Sequence, residues 1–555
     1  MNLHLVTANG IDNGNFTVAD GTIVNVNALA KELDCDSQKT EDVIMASFLR
    51  WGMDYPTHLK GCFAIAVFDM DGNRLILCRD RFGTIPLYYA EIPNGLAFGS
   101  RTDEFMDKGV VSRTANLQAV WDYLTLGVVP QPNTMIKGVH SLRPGELLEF
   151  NLESKSIAVR RWWRLESDAS FVGVGYEEMT SRLREAILES LTGIEMTNAR
   201  LLLSGGVDSS VLLAALSIQR KHVPTLTLGY ERRHQSYDET ARAKGLAEHF
   251  EADARYVTIS DRDAAKHFSK FIKAMDQPSR DGFNMYFATK ACHECGAKDV
   301  LTGLGGDEFF AGYPHFRRRL RAMGLSGKLC VFRPLMRLLP NRFRHNLMLP
   351  FLTKAEMLEC IRAQAYDKGK RSFMNPDLFH ENAKPVSWLE RCRDFVNDTE
   401  DFAELLARFD IELDMEHTLL RDAFLQSAVN QITPVSPLLD EQIAVMAFSM
   451  PLDYKIRDGR AKAIFTDAFK AELPEEVRLG VKHGFEMPLL SWLGGSLLPR
   501  ARTAFASPCA KMLFQKQFLL NWSERLPSLQ PWDYPLWSRF ILVEWMMARK
   551  ITDVR

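Results

Sequence analysis

The sequence lacks any long apolar run: no stretch approaches the ~18 apolar residues that a membrane-spanning helix requires. Its first six residues, MNLHLV, also lack the basic region and following apolar segment that mark a signal peptide. Neither charge is in excess, because 68 basic and 70 acidic residues leave a formal net charge of −2. We therefore expect no transmembrane segment and no nucleic acid partner.

Cysteines are few, scattered and odd in number, nine in 555 residues, which is typical of free thiols in a reducing cytoplasm and excludes a disulfide framework. Cys292 and Cys295 form one C-x-x-C pair without a second pair at zinc spacing, so we interpret them as packing residues and not as a metal or redox site. Internal repeats and low-complexity tracts are absent as well. The length and ordinary composition predict a cytoplasmic globular protein of two or more domains.

The first ~165 residues are rich in short strands separated by turn residues. Residues 61–69 and 74–80 read as two apolar strands around Asp71-Gly72, a favourable hairpin turn. A second hairpin is expected from 87–89 and 96–99, around Pro93-Asn94-Gly95. This half is predicted to be a layered, β-rich domain.

After Trp162-Trp163 the pattern becomes one of alternating helices and strands. An amphipathic helix is predicted over 176–191 and a second helix over 209–218, with strands at 201–203 and 224–228. Such alternation predicts a parallel sheet whose ligand sites lie at the carboxyl ends of the strands. We place the domain boundary near 165–175, giving domains 1–168 and 169–555.

A glycine-rich turn joins the 201–203 strand to the helix that follows, with the sequence Ser204-Gly205-Gly206-Val207-Asp208-Ser209-Ser210. Backbone N–H groups, two hydroxyls and a helix N-terminus then face one small concavity, which suits a pyrophosphate. A carboxylate beside phosphate is repulsive unless a cation lies between them, so Asp208 implies magnesium. A lone S-G-G would be only an ordinary turn; the longer motif favours ATP.

This motif resembles the pyrophosphate loop of the asparagine synthetase and β-lactam synthetase family. The resemblance continues through several ordered segments and covers most of the chain: Asp238-Glu239, 276–279 (DQPS), 301–313 (LTGLGGDEFFAGY), 419–422 (LLRD), 437–440 (PLLD) and 482–488 (KHGFEMP). Upstream, residues 59–89 resemble the second half of the family's glutaminase domain.

The resemblance implies an α/β protein of two domains. The first is an N-terminal Ntn-type layered β-rich glutaminase-like domain. The second is a C-terminal adenine-nucleotide α-hydrolase-like (PP-loop) synthetase domain with a parallel sheet and many helices. The implied cosubstrate is ATP with Mg²⁺, and the implied chemistry is adenylation of a carboxylate, release of pyrophosphate, and attack by an amine.

The resemblance also implies roles for individual residues. The predicted phosphate-binding residues are Ser204, Gly205, Gly206, Ser209 and Ser210, and Asp208 belongs to the same ATP-binding site. The rest of the nucleotide pocket is expected from Leu202, Leu203 and Leu228, with Thr302 and Gly303 closing it. The magnesium ligands are expected to be Asp208 and Asp307. Lys482 is the predicted catalytic lysine, because a flexible ammonium can follow charge between two transition states, and Lys462 is the alternative.

Glutamine hydrolysis in this family begins with an N-terminal cysteine, whereas this chain begins Met1-Asn2, and asparagine cannot act as a thiolate nucleophile. Thr40 also stands where an acid would hold the amine of glutamine. We therefore expect no ammonia from glutamine. The nitrogen is then free ammonia or an amine of the substrate itself, and we favour the tethered amine because it has a high effective concentration.

Two further departures affect the site. Leu304 stands where the family carries an acid or a tyrosine, and residues 432–437, ITPVSP, replace an L-E-V-R-x-P segment, so a Glu and an Arg are missing together. The general base is therefore unidentified, with His483 as one candidate.

Three functions remain open. The leading hypothesis is a lasso-type macrolactam synthetase acting on a peptide or small amino-acid-like substrate, with a leader-peptide-binding protein and a protease as partners. The second is an ammonia-dependent asparagine synthetase or another amide-forming tailoring ligase, and the third is an inactive scaffold. The basic segment 315–345 has nine Lys or Arg and no acid, and is a solvated face or a surface for an anionic partner.

Overall fold

The computed structural model describes residues 3–7, 15–313, 316, 367–378, 402–480, 486–528 and 534–555. Its N-terminal domain contains a pair of layered antiparallel sheets, with strand orders β1-β6-β5-β8 and β10-β9-β4-β3-β2. The strands are β1 His4–Thr7, β2 Phe16–Ile23, β3 Gly61–Asp69, β4 Arg74–Arg79, β5 Tyr88–Ile92, β6 Gly95–Gly99, β7 Thr114–Ala115, β8 His140–Ser141, β9 Glu146–Asn151 and β10 Ile157–Arg161.

Alternation along β3 explains the layering. Ala64, Ala66 and Phe68 face the core between the two sheets, whereas Phe63 and Ile65 belong to a second core against helices α1 Val26–Glu32 and α2 Thr40–Trp51. Because successive side chains of a strand point to opposite faces, a strand buried on both faces must be apolar throughout. The predicted layered, β-rich domain is therefore confirmed.

The C-terminal domain is built on a parallel sheet of order β13-β12-β11-β14-β15. Its strands are β11 Ala199–Leu202, β12 Pro224–Tyr230, β13 Asp253–Ile259, β14 Asp299–Leu301 and β15 Thr433–Val435. The register pairs Leu201 with Thr225 on one side and with Leu301 on the other. The carboxyl ends of β11, β12 and β14 consequently meet at one edge, where the loops that follow them come together.

Helices pack around this sheet and also occur in the N-terminal domain. Those before the last sheet strand are α3 Thr102–Asp107, α4 Leu117–Leu126, α5 Tyr176–Ser190, α6 Val207–Gln219, α7 Thr240–His249, α8 Asp261–Ala274, α9 Phe283–Glu294, α10 Gly306–Phe309, α11 Asp367–Lys370, α12 Phe402–Phe409, a π-helix Asp410–Leu419 and α13 Leu420–Ala428. Those after it are α14 Glu441–Ser449, α15 Leu452–Lys455, α16 Ala463–Asp467, α17 Glu475–Leu479, α18 Leu489–Gly494, α19 Leu498–Ala506, α20 Pro508–Leu513, α21 Lys516–Asn521 and α22 Tyr534–Ala548.

The two domains share a core and a small sheet. One cluster of buried residues includes Tyr123 of α4, Phe268 of α8 and Trp537 of α22. Near the C-terminus, β16 Asp553–Val554 pairs in parallel with β7 of the N-terminal domain. The predicted boundary at 168/169 lies in the connection between β10 and α5, and the chain end returns across that boundary.

The first predicted hairpin is present, but its turn differs from the expected one. Residues 70–73 connect β3 to β4, and the left-handed residue is Asn73, with φ 47°, not Gly72. Gly72 is needed for a different reason: its N–H donates to Asp69 Oδ1 at 3.0 Å, and a Cβ there would lie 2.5 Å from Asp69 Oδ2. Within the described residues, no helix has both the length and the apolar character required to cross a bilayer.

Candidate functional site

The glycine-rich turn lies between β11 and α6, as predicted, and its hydroxyls are tied into the loop. Ser204 Oγ accepts from the Gly206 N–H at 3.2 Å, and Ser209 Oγ donates to the Gly206 carbonyl at 3.1 Å. Gly205 has φ +77°, a left-handed conformation that residues with a Cβ adopt at a cost. These hydrogen bonds, together with one from the Ser204 N–H to Ser209 Oγ at 3.3 Å, close the loop on itself beside the N-terminus of α6.

Three charged side chains from three separate loops meet next to this turn. Lys462 Nζ lies 2.5 Å from Asp208 Oδ1 and 2.6 Å from Asp307 Oδ1. Asp208 is in the first turn of α6, Asp307 in α10 after β14, and Lys462 immediately before α16. The parallel sheet brings the first two together because β11 and β14 are neighbours.

Glycines make this close approach possible. A Cβ on Gly306 would lie 2.1 Å from Asp208 Oδ1, and a Cβ on Gly312 would lie 2.0 Å from Asp307 Oδ1 and 2.1 Å from Lys462 Cε. No side chain fits at such distances. The glycines of the 301–313 motif therefore leave room for the ion cluster.

Lys462 is buried and held in an unusual conformation. Its backbone is left-handed, with φ 54° and ψ 31°, and non-glycine residues in this region are concentrated at functional sites. Burial by itself lowers the pKa of the ammonium, but the carboxylates of Asp208 and Asp307 outweigh burial and raise the pKa. The cluster is thus a fixed positive charge between two negative ones.

The cluster lines a cavity of about 1470 Å³ at the carboxyl edge of the sheet. Ten of the predicted nucleotide-binding residues line it: Leu202, Leu203, Ser204, Gly205, Gly206, Asp208, Ser209, Leu228, Thr302 and Gly303. Ser210 does not line the cavity, because its side chain is buried and its hydroxyl donates to the Gly206 carbonyl at 2.8 Å. Its role is therefore to tie the start of α6.

The donor set at the cluster fits magnesium. Asp208 and Asp307 present carboxylate oxygens around one point that already holds a cation, and hard divalent ions prefer oxygen ligands. No group of three or more His, Cys, Asp or Glu that could hold a metal occurs among the residues that the structure describes. Phosphate oxygens and water would have to complete the coordination.

The positions that depart from the family pattern also lie here. Leu304 lines the cavity, and Thr302 Oγ1 lies 2.8 Å from Ser436 Oγ.

Glu308 is buried beside Asp307, and both burial and the Asp307 carboxylate raise its pKa, to about 7. The Tyr313 hydroxyl and the Gly305 N–H both donate to Glu308, so this carboxyl group holds the loop in place.

Part of the cavity lining contacts the N-terminal domain. Arg280 Nη1 donates to the Leu126 carbonyl, the last of α4, at 3.1 Å, and Nη2 donates to Asp414 Oδ1 at 3.2 Å. Asp414 belongs to the π-helix, a rare geometry that is frequent at functional sites. Upstream of Arg280, the Tyr88 hydroxyl donates to Asp276 Oδ2 and the Met135 N–H to Gln277 Oε1 at 2.7 Å. Segment 276–281 thus carries contacts from the N-terminal domain to the cavity.

Several predictions fall outside the described residues. They include Lys482 and His483, the starting residues Met1 and Asn2, and the basic segment 315–345 apart from Phe316. Cys292 is buried in α9 and Cys295 follows that helix; both are free thiols, in agreement with a packing role.

Comparison with known families identifies the chain. The asparagine synthase family model matches residues 182–547 and the glutamine amidotransferase domain model matches residues 11–163. Because the first match covers more than half of the sequence, the chain belongs to the asparagine synthase family. It is accordingly an ATP-dependent amide-forming ligase with a glutamine amidotransferase-like N-terminal domain, and the predicted fold class is confirmed.

Curated relatives are distant but span most of the chain. It is 23% identical over 536 residues to an asparagine synthetase (glutamine-hydrolyzing) 1 of Bacillus subtilis, covering 91% of this chain and 81% of the relative. It is 24% identical over 522 residues to the amidase chyE of Penicillium rubens, covering 84% and 76%. A solved glutamine phosphoribosylpyrophosphate amidotransferase from B. subtilis is 14% identical, with a TM-score of 0.20 over 54% of this chain and 63% of that one, a likeness too low to carry an argument.

The cavity contains charged residues that the sequence analysis did not single out. They are Arg242, Arg280, Asp281, Asp414, Arg460, Glu476 and Arg478. They come from five separate segments, and none stands in a motif with recognisable spacing. Only their convergence around the glycine-rich turn distinguishes them from other surface charges.

Proposed function

We propose that this protein adenylates a carboxylate with ATP, releasing pyrophosphate, and then joins the acyl group to an amine, releasing AMP, without hydrolysing glutamine. The proposal extends to the substrate: the amine and the carboxylate belong to one precursor peptide, and the product is a lasso-type macrolactam. A leader-peptide-binding protein and a protease would then prepare the precursor.

The observation that carries the proposal is the cluster of Lys462, Asp208 and Asp307 beside the glycine-rich turn. Both chemical steps develop negative charge on a departing phosphate, and preorganised donors and cations stabilise such charge. When ATP binds, the N–H groups of the 204–206 turn and the Ser209 hydroxyl would exchange their hydrogen bonds within the loop for bonds to the β and γ phosphates. Lys462 would neutralise charge on the leaving pyrophosphate, and magnesium held by Asp208 and Asp307 would supply the same stabilisation when bound.

The size of the cavity supports binding of a second reactant beside ATP. Pockets for one small molecule are about 300–1,000 Å³, and this cavity of about 1470 Å³ is larger. An amine tethered to the same peptide also needs no ammonia source, and attachment in a reactive orientation is equivalent to a high effective concentration.

The second candidate is formation of asparagine or another small amide from free ammonia. The name of one curated relative, an asparagine synthetase, favours a small amide product, although that relative is named as glutamine-hydrolyzing. The missing Glu and Arg of the segment now occupied by Thr433 and Val435 argue against aspartate as the acyl substrate.

The test supplies the purified full chain with ATP, magnesium and candidate precursor peptides. The expected product is a peptide lighter by one water, with one AMP per ring, and no glutamate from added glutamine. The Lys482→Ala variant should retain the fold and lose AMP formation. Aspartate-stimulated ATP–pyrophosphate exchange would instead support the second candidate, and the absence of exchange with every carboxylate would support a scaffold.

A further inference from the structure

Among the cavity residues that the structure describes, one exposed cation has no close acidic partner. Arg242 lines the cavity from the first turn of α7, and its side chain is 45% exposed. Its ion pair with Glu239 is long, with 3.7 Å between Arg242 Nη2 and Glu239 Oε1. By contrast, Arg460 binds Asp467 at 2.9 and 3.1 Å, and Arg280 binds Asp414 at 3.2 Å.

Arg478 is the other cavity arginine with a long ion pair, and its surroundings differ. It lies 3.7 Å from Asp467, a carboxylate that Arg460 and the Tyr176 hydroxyl already engage, and it is only 17% exposed. Arg478 is thus part of a packed ionic network. The Arg242 side chain is the more exposed of the two.

The position of Arg242 relative to the glycine-rich turn is fixed by backbone packing. A Cβ on Gly205 would lie 2.9 Å from Arg242 Cβ and 3.1 Å from the Ala243 nitrogen. The first turn of α7 therefore lies directly against the turn that faces phosphate. Gly205 carries no Cβ, and this absence is what lets the two segments touch.

Glu239 is the acidic residue that lies nearest to Arg242. Its carboxyl group is buried, and neither oxygen accepts a hydrogen bond from any residue in the described ranges. Asp238 caps the same helix, its Oδ1 accepting from the Thr240 N–H at 2.7 Å, so the backbone that carries Glu239 and Arg242 is fixed. A buried carboxylate with no hydrogen-bond donor attracts the nearest cation, and here that cation is Arg242.

We infer that Arg242 is a binding residue for the terminal phosphates of ATP and for pyrophosphate, and that Glu239 is a positioning residue that holds Arg242 beside the glycine-rich turn until the nucleotide arrives. A guanidinium presents five donors in a planar fork that matches phosphate oxygens. This inference rests on the proposed function, because ATP is the ligand, and it adds a residue outside the glycine-rich motif.

The test compares ligands that share or lack the terminal phosphates, by calorimetry on the full chain with magnesium. In Arg242→Gln, binding of ATP and of inorganic pyrophosphate should weaken about 10- to 100-fold, as expected for a lost hydrogen bond to a charged group. Binding of AMP should change less than about twofold. Lys244→Gln, two residues along α7 on an exposed position, removes the same charge and should leave all three affinities unchanged.

Glu239→Gln is the second variant. It should weaken pyrophosphate binding by a smaller factor than Arg242→Gln, and the double variant should bind no more weakly than Arg242→Gln alone, because Glu239 acts through Arg242. An equal loss of AMP and pyrophosphate affinity in Arg242→Gln, or no loss of either, would overturn the inference while the proposed function stands. A wild-type protein that binds neither ATP nor pyrophosphate would overturn both.

Discussion

Arg79 in the N-terminal domain and Lys462 in the C-terminal domain are both fully buried cations, but their partners differ in charge. The Arg79 guanidinium donates to the carbonyls of Gly83, Ile85 and Leu142 and to Gln131 Oε1, all neutral acceptors. Burial therefore prevails, and the pKa of Arg79 is lowered even though Asp80 lies nearby.

Lys462 lies between two carboxylates, so its pKa is raised in spite of burial. The N–H groups of Arg79 donate to acceptors in the loops of its own domain, so this cation stabilises the fold. The Lys462 cluster instead borders a large cavity, where its charge can act on a ligand. The difference separates two environments of a buried cation: Arg79 is satisfied by neutral acceptors inside the fold, and Lys462 lies between carboxylates at a cavity.

The largest expected effect is the loss of stability when the buried cation Arg79 is removed. Arg79→Met leaves four acceptors and the Asp80 carboxylate without their buried cation, and breaking such an arrangement costs about 3–5 kcal/mol. Urea titration should show this loss in the free energy of unfolding, and hydrogen exchange should locate it in β3 and β4. Arg50→Met, at an exposed site on α2, should change stability by no more than about 0.5 kcal/mol. Equal stability of the two variants would contradict the comparison.

The functional cation should affect catalysis more than any exposed lysine does. Lys462→Met removes charge stabilisation at the leaving phosphate, and AMP formation should fall about 10²- to 10³-fold. Lys470→Met, on an exposed position eight residues further on, is the matched control. Should the Lys462 variant fail to fold, Asp307→Asn tests the same cluster and should lower AMP formation by a similar factor. Wild-type turnover in either variant would remove the cluster from the mechanism.

The interface between the two domains can be tested at one hydroxyl. Tyr88→Phe removes the hydrogen bond to Asp276, a fully buried carboxylate, and should cost about 1–3 kcal/mol of stability. Tyr89→Phe on the same strand, where the ring lies against His140, should cost less. Thermal unfolding of the two variants provides the measurement, and a larger loss for Tyr89→Phe would count against the interface.

The last prediction is a dependence of stability on pH. Burial raises the pKa of Asp422 from 3.8 to about 7, although Arg421 and the Ser279 hydroxyl oppose the shift. The folded state therefore keeps a proton that the unfolded state releases, and this contribution is complete below pH 3.8 and lost as the pH rises through about 7. The stability of wild type relative to Asp422→Asn should fall by up to about 1.4 kcal/mol per pH unit in that window and be flat above it. Urea titrations across the window check this, and a constant difference would refute it.

The local sequence pattern was sufficient to predict the strand and the helix on either side of the glycine-rich turn. The strand before Ser204 was predicted at 201–203 and runs from Ala199 to Leu202, and the helix predicted at 209–218 runs from Val207 to Gln219. The helix starts earlier than expected because Gly206 is its N-cap, so Asp208 lies in its first turn. Apolar runs and glycine turns are local features, and a single sequence displays them.

Contacts between residues that are far apart in sequence could not be predicted from local sequence patterns. Lys462 was only the alternative lysine in the sequence analysis, and its left-handed backbone and two carboxylate partners depend on contacts across 254 residues. Arg242 and Arg280 stand in no distinctive sequence pattern. Their significance comes from packing against Gly205 and from the carbonyl of Leu126, and neither contact has a local signature.

The sequence by itself determined the two-domain architecture, the glycine-rich turn and the pair Asp208 and Asp307, because periodicity, turn chemistry and ordered motifs are written in short stretches of chain. Only the tertiary structure decided which cation meets those carboxylates, which arginines border the cavity, and how the N-terminal domain reaches the cavity wall. The physical reason is that a charge is defined by its distance to other charges, and a parallel sheet brings together loops that are far apart in sequence.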